Sequence, residues 1–247
     1  MKATPSQPTS TIPDELKEIA TAMNRKLDAE MGFLRDDPTE MEQCVALALS
    51  AFSEREPIIG ALITGAPNAS AAEQVIAFSG LTALVKVRGE VKAVCVVVPY
   101  ESDHGEPLPG LEAVYEVLDR LSASYDAHCA ASGGTIRGDK TIDLFLGATA
   151  ADFQNRNAAE MAMVLATMNA RARGFEHAVS MATSNSGRVL ANNGMKALDE
   201  VDYKTFTFQG RKPFASVRNF NSAKLMYRSL ADFDAPPSLK YRPSAKL

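Results

Sequence analysis

Apolar positions follow two different rhythms along this chain. From residue 38, Pro-Thr-Glu opens a helix in which Met41, Cys44, Val45, Ala48 and Leu49 recur on one face, and the pattern ends near Ser53. Thr39 is positioned to cap it. Residues 81–87 and 91–99 are instead continuous and β-branched, and Arg88-Gly89-Glu90 between them predicts a hairpin with glycine at its tip. Helical spacing returns over 111–129 through Val114, Val117, Leu118 and Leu121, until Gly133-Gly134 stops it.

The second half repeats strand and helix signals at short intervals. Residues 141–147 read as a central strand, and 158–173 as a helix with Met161, Val164, Leu165 and Met168 in one stripe, capped by Gly174. A strand over 178–183, a short helix over 186–193 ending at Gly194, and a strand over 201–208 follow, with a further strand possible over 214–220. A short first strand is expected at 31–35, with helical signals over 14–30, 57–63 and 70–78, and a loop over 102–110. Strands with helices between them and no dividing linker predict one α/β domain over 14–247. The Ser-, Thr- and Pro-rich residues 1–13 read as a disordered leader.

Composition narrows the class. With 46 % hydrophobic and 23 % charged residues, the chain has the make-up of a soluble globular protein. Its apolar runs are far shorter than the ~20 residues of a membrane span, and its start has no secretory apolar segment, so no membrane association and a cytoplasmic location are expected. Cys44, Cys95 and Cys129 lack zinc-site spacing, and the first two read as core residues. His104, His128 and His177 share no motif; no metal site is predicted. From Arg211 onward eight Lys or Arg face two Asp, but they are spaced among Phe214, Phe220, Leu225, Met226 and Tyr227 without forming a block, which speaks against nucleic acid. No Gly-x-Gly-x-x-Gly follows a strand, which excludes a dinucleotide-binding dehydrogenase.

The most informative segment is Gln154-Asn155-Arg156-Asn157-Ala158-Ala159, where a strand hands over to a helix N-terminus. Unpaired N–H groups and the helix dipole make such a place an anion site. A phosphate-bearing cofactor is the expected ligand.

The order of elements from residue 32 to 208, with this turn at its centre, resembles the Gcn5-related N-acetyltransferases. Their turn is Gln or Arg, two residues, Gly, one residue, then Gly or Ala. Gln154 and Ala159 match its ends, while Asn157 stands at the glycine position, where an Asn best tolerates positive φ. The resemblance implies a central mixed, mostly antiparallel sheet of about seven strands flanked by helices, and acetyl-CoA as co-substrate without a metal. It places pyrophosphate on Gln154, Asn155, Arg156, Asn157, Ala158 and Ala159, and the pantetheine arm along Gly147, Ala148 and Thr149. It also sets Ser186 at the cofactor and Arg188 toward its phosphates, with Arg156 the alternative cation.

Within that superfamily the chain resembles the insect arylalkylamine acetyltransferases, through Phe52-Ser53-Glu54-Arg55-Glu56-Pro57-Ile58. By that resemblance Glu56 is the base that accepts the ammonium proton; read alone it is a helix-end acid. Ser186, by the resemblance also a catalytic candidate, matches the second of two serines of those enzymes and Ala182 stands at the first, while Ser184, Asn185 and Ser186 also suit simple helix capping. Leu190 occupies the position of a tyrosine that many members use to reprotonate the CoA thiolate. Tyr203 and Tyr100 are the remaining phenols expected near the cleft, with Tyr203 counted among catalytic candidates, and His104 is a candidate proton carrier. The implied function is transfer of acetyl from acetyl-CoA to a primary amine of a small molecule by direct attack in a ternary complex. Two alternatives stand beside it. One is a CoA-binding domain without turnover, suggested by Asn157, Ala182 and Leu190; the other is a protein Nα- or lysine acetyltransferase.

Overall fold

The computed structural model describes residues 21, 29–35, 37–56, 58, 62, 80–102, 109–183 and 186–233. The expected leader, most of the helices anticipated over 14–30, 57–63 and 70–78, His104, and the pair Ser184 and Asn185 lie outside the described residues. In chain order come β1 (Glu30–Phe33), α1 (Pro38–Arg55), β2 (Ala83–Val87), β3 (Glu90–Pro99) and α2 (Glu112–Ala131), then β4 (Thr141–Thr149) and α3 (Ala158–Ala172). β5 (His177–Ala182), α4 (Ser186–Asn192), β6 (Lys196–Asp202) and β7 (Ser222–Ser229) complete them.

The strands form one mixed sheet in the order β1-β2-β3-β4-β5-β7-β6. Every neighbouring pair is antiparallel except β4 and β5, which run parallel with α3 as their crossover. β3 is apolar on both sides because both are covered. Val94, Val96 and Val98 pack with Cys44, Val45 and Ala48 of α1, while Ala93, Cys95 and Val97 pack with Met161, Val164 and Leu165 of α3. A third cluster joins Val117, Leu121 and Tyr125 of α2 to Val179 and Leu225. α1 and α2 therefore cover one face, and α3 covers the other.

Three local expectations change. The cap of α1 is Asp37, whose side chain accepts from the Thr39 N–H at 2.9 Å, and Pro38 occupies the first turn. The strand expected over 201–208 is instead β6, which ends at Asp202. There the Asp202 Oδ1 accepts from the Lys204 and Thr205 N–H groups, both at 2.9 Å, and this side-chain turn takes the place of a ladder. The strand considered over 214–220 is irregular: Phe214 is a fully buried plug, stacked on Phe206 at 5.4 Å, and the last strand is β7.

Candidate functional site

β4 and β5 part company in the middle of the sheet. They pair only at Thr141 with His177, Ile142 with Ala178 and Asp143 with Val179, although β4 runs on to Thr149 and β5 to Ala182. A bulge in β4 lies at the parting point. Val96 to Val98 on β3 spans two steps and faces three on β4, from Leu146 to Asp143. The extra residue inverts the pleat: Ile142 and Leu144 pack in the α3 cluster, whereas Ala148 packs in the α1 cluster. The Ser180 hydroxyl donates to the Leu144 carbonyl at 2.9 Å and links β5 to β4 just past their last paired residues.

Beyond the bulge, the Ala150 N–H donates to the Lys92 carbonyl at 2.8 Å. By the alternation of an antiparallel ladder, Ala148 and Leu146 bond β3, and Gly147 and Thr149 turn their backbone groups toward the gap. A Cβ added at Gly147 would meet no described atom within 4 Å. This glycine therefore widens the gap and relieves no clash.

The turn that follows holds two left-handed residues, Asn155 at φ 59° and Asn157 at φ 60°. Asn157 is the N-cap of α3, yet its side chain makes no capping bond, and only its carbonyl joins the helix, accepting from Met161 N–H at 2.9 Å. The first N–H groups of α3 thus have neither an intrahelical partner nor a side-chain cap from Asn157, which is the arrangement that receives an anion. Asparagine at the glycine position adopts the positive φ expected of it. Arg156 is turned aside, its guanidinium 4.9 Å from the centre of the Phe153 ring.

Gap and turn open into one cavity of about 580 Å³. Glu56, Gly147, Ala148 and Thr149 line it, as do Gln154, Asn155, Asn157, Ala158, Ala159 and Ser186. Its walls include Phe52 of α1 on one face of the sheet and Met163 of α3 and Leu190 of α4 on the other, so it passes between the parted strands from face to face. Arg156, Arg188 and Tyr203, grouped with the site in the sequence, are not in its lining; Arg188 is exposed on α4.

Glu56 caps the C-terminus of α1, its N–H donating to Phe52 at 3.3 Å, one turn beyond the end expected from sequence. Burial pushes its carboxyl up from the ordinary range, opposed by hydrogen bonds from the Thr183 side chain and the Ile58 backbone. Its Oε1 is enclosed and has no partner among the described residues. A carboxylate oxygen in that state is a place for a donor such as an amine.

Tyr203 is not a free phenol of the cleft. It is fully buried, its hydroxyl donates to the Thr183 carbonyl at 2.8 Å, and burial together with the charge of Glu56 raises its proton affinity. Tyr100 belongs to the α2 side, donating to the Ser122 carbonyl and to Asp126 at 3.2 and 3.1 Å. His177 is structural, its Nδ1 3.1 Å from the Tyr227 hydroxyl. Cys95 is a core residue as expected and also reaches the cavity wall, where burial first and the charge of Asp143 second push its thiol up to about 12. Thr183, Ser180 and Glu160 also line the cavity; no motif marks them in the sequence, where Thr183 is simply a hydroxyl at a strand end beside Ala182. Among the described residues no group of three or more His, Cys, Asp or Glu could hold a metal ion, and no helix is long and apolar enough to cross a membrane.

The parted parallel strands, the crossover helix and the bulged β4 define the fold of the Gcn5-related N-acetyltransferases, and this chain has that fold. Among solved structures it is similar to the C-terminal condensation domain of Ebony in complex with beta-alanyl-dopamine, with a TM-score of 0.67 and 15 % identity over 82 % of this chain and 99 % of that one. It is also similar to arylalkylamine N-acetyltransferase 2 from Aedes aegypti, with a TM-score of 0.60 and 13 % identity over 82 % and 99 %. A putative acetyltransferase from Salmonella typhimurium with its cofactor acetyl-CoA aligns at a TM-score of 0.50 and 11 % identity over 84 % and 97 %. No family model matches the sequence, and no curated relative is found.

Proposed function

We propose that this protein is an acetyl-CoA-dependent N-acetyltransferase that acylates a primary amine of a small molecule by direct attack in a ternary complex. The observation that carries this reading is the single cavity joining three parts: an uncapped helix N-terminus, the parted edge of β4, and the enclosed carboxylate of Glu56. The first N–H groups of α3 would hold the pyrophosphate, and the backbone of Gly147 and Thr149 would align the pantetheine arm. These groups set the thioester at the level of the gap, with Glu56 on the α1 side.

Glu56 accepts one proton from the incoming ammonium, and its elevated proton affinity brings it closer to that of the amine. The free amine nitrogen then forms a bond to the thioester carbon, the carbon–sulfur bond breaks with its electron pair on sulfur, and the second amine proton is released. A thiolate leaves without a strong acid, which suits a site whose α4 carries Leu190. The three analogues described above support the class: one is a condensation domain with an acylated dopamine, one an arylalkylamine acetyltransferase, and one holds acetyl-CoA.

A second reading, CoA binding without turnover, draws on Leu190, Ala182 and the two arginines turned out of the cavity. Free thiol release separates the two. With acetyl-CoA and a panel of arylalkylamines, diamines and peptides bearing free N-termini or lysines, the expected result is release with a small amine. Binding of CoA with no release across the panel overturns the enzyme reading, and release with peptides alone moves the substrate class to proteins.

A further inference from the structure

Asn157 and Glu160 stand at the N-cap and third helical positions of α3, the spacing at which a capping box forms, yet neither half of the box is made. Asn157 makes no side-chain bond to the helix. Glu160 lines the cavity, and its Oε1 accepts from Nδ2 of Asn193 at 3.0 Å instead of reaching back over the turn.

Asn193 is held from several sides just beyond α4. It is 4 % exposed, and its own N–H donates to the Val189 and Leu190 carbonyls at 3.2 and 3.1 Å. Its Nδ2 also donates to the Val189 carbonyl at 2.8 Å, and its carbonyl accepts from Nη1 of Arg228. Both hydrogens of the amide are thereby committed. Its Oδ1 is buried without a partner among the described residues, a cost offset by the bonds of Nδ2.

We propose that Asn193 is a positioning residue that latches the Glu160 carboxylate away from the anion cradle, so that the Asn157 N–H and the space beside it stay open for the phosphates of CoA. The inference rests on the reading of residues 154–159 as a pyrophosphate site. An unlatched Glu160 would take the capping-box position, accept from the Asn157 N–H within the turn, and set a negative charge beside the phosphates. The latch couples the end of α4 to the first turn of α3 and acts on the phosphate end of the ligand alone.

The test is isothermal titration of the full chain with coenzyme A and with pantetheine, which lacks the phosphates. Asn193→Ala removes the latch, and Glu160→Asp shortens the carboxylate beyond its reach while keeping the charge. Each is expected to weaken coenzyme A by about five- to tenfold with pantetheine unchanged. Glu160→Gln in the Asn193→Ala background is expected to restore coenzyme A affinity. Glu160→Asp keeps the test decisive if Asn193→Ala does not fold. Equal losses for both ligands, or Glu160→Asp binding coenzyme A like the parent, overturn the latch and leave the CoA site standing. A parent protein that binds no coenzyme A overturns the site, and the latch with it.

Discussion

The hydroxyl of Tyr203 donates to the backbone carbonyl of Thr183 at 2.8 Å, and the side chain of the same Thr183 bonds the Glu56 carboxylate. A buried phenol thus holds the strand end that holds the candidate base. Tyr203→Phe leaves that carbonyl without its partner, which costs about 1–2 kcal/mol. Chemical denaturation is expected to show that loss, while kcat falls by less than about tenfold. A fall of a hundredfold or more would make Tyr203 a proton donor in the reaction.

Glu56 works as a base only when ionised, and burial raises the pH at which it ionises. The acid limb of kcat/KM is therefore expected above the ordinary carboxylate range, with activity rising as pH increases through it. Glu56→Gln is expected to lower kcat/KM by about 10²–10⁴-fold and to abolish that limb. Undiminished activity of the variant removes Glu56 from the mechanism.

Asn157 occupies a left-handed conformation in which a side chain with branched Cβ is strained. Asn157→Gly is expected to keep both stability and coenzyme A affinity within about threefold of the parent, because glycine adopts this φ freely. Asn157→Val is expected to cost about 1–2 kcal/mol in thermal or chemical unfolding and to weaken coenzyme A. Equal behaviour of the two variants would show that the turn does not depend on positive φ.

Asp143 lies where β4 and β5 part, 5 % exposed, and its Oδ1 has no partner among the described residues. Burial pushes its carboxyl from 3.8 up to about 7. Its folded form holds a proton that the unfolded chain releases, so its contribution is fully present below about pH 4 and is lost as pH rises to about 7. Asp143→Asn is expected to flatten the decline in unfolding free energy across that window, by up to about 4 kcal/mol. Parallel stability curves for parent and variant would refute this.

Most of the fold was legible where local and tertiary preferences agree. The continuous β-branched run of 91–99 reads as a strand and is one, covered on both sides, and the Met161, Val164, Leu165 stripe reads as one face of a helix and packs on the sheet. The misplaced elements lie where they disagree. Lys196–Asp202 is charged and exposed, with little intrinsic preference for a strand, and becomes one through its pairing with β7. Residues 203–208 are aromatic and β-branched, but an Asp202 turn and the burial of Tyr203 and Phe206 take them out of the sheet.

The sequence by itself determined the strand-turn-helix frame around residues 141–172 and the asparagine able to hold positive φ at its turn. It also determined the acid at the end of α1, since each of these depends on neighbours within a few residues. Only the tertiary structure decided that β4 and β5 diverge after three pairs. That divergence depends on a bulge opposite β3 and on the register of a parallel pair, both made between distant segments. The same holds for Glu56 meeting Thr183, for Arg156 folding onto Phe153, and for Glu160 turning to Asn193. Side chains that are merely polar along the chain acquire a direction only when the elements carrying them are packed.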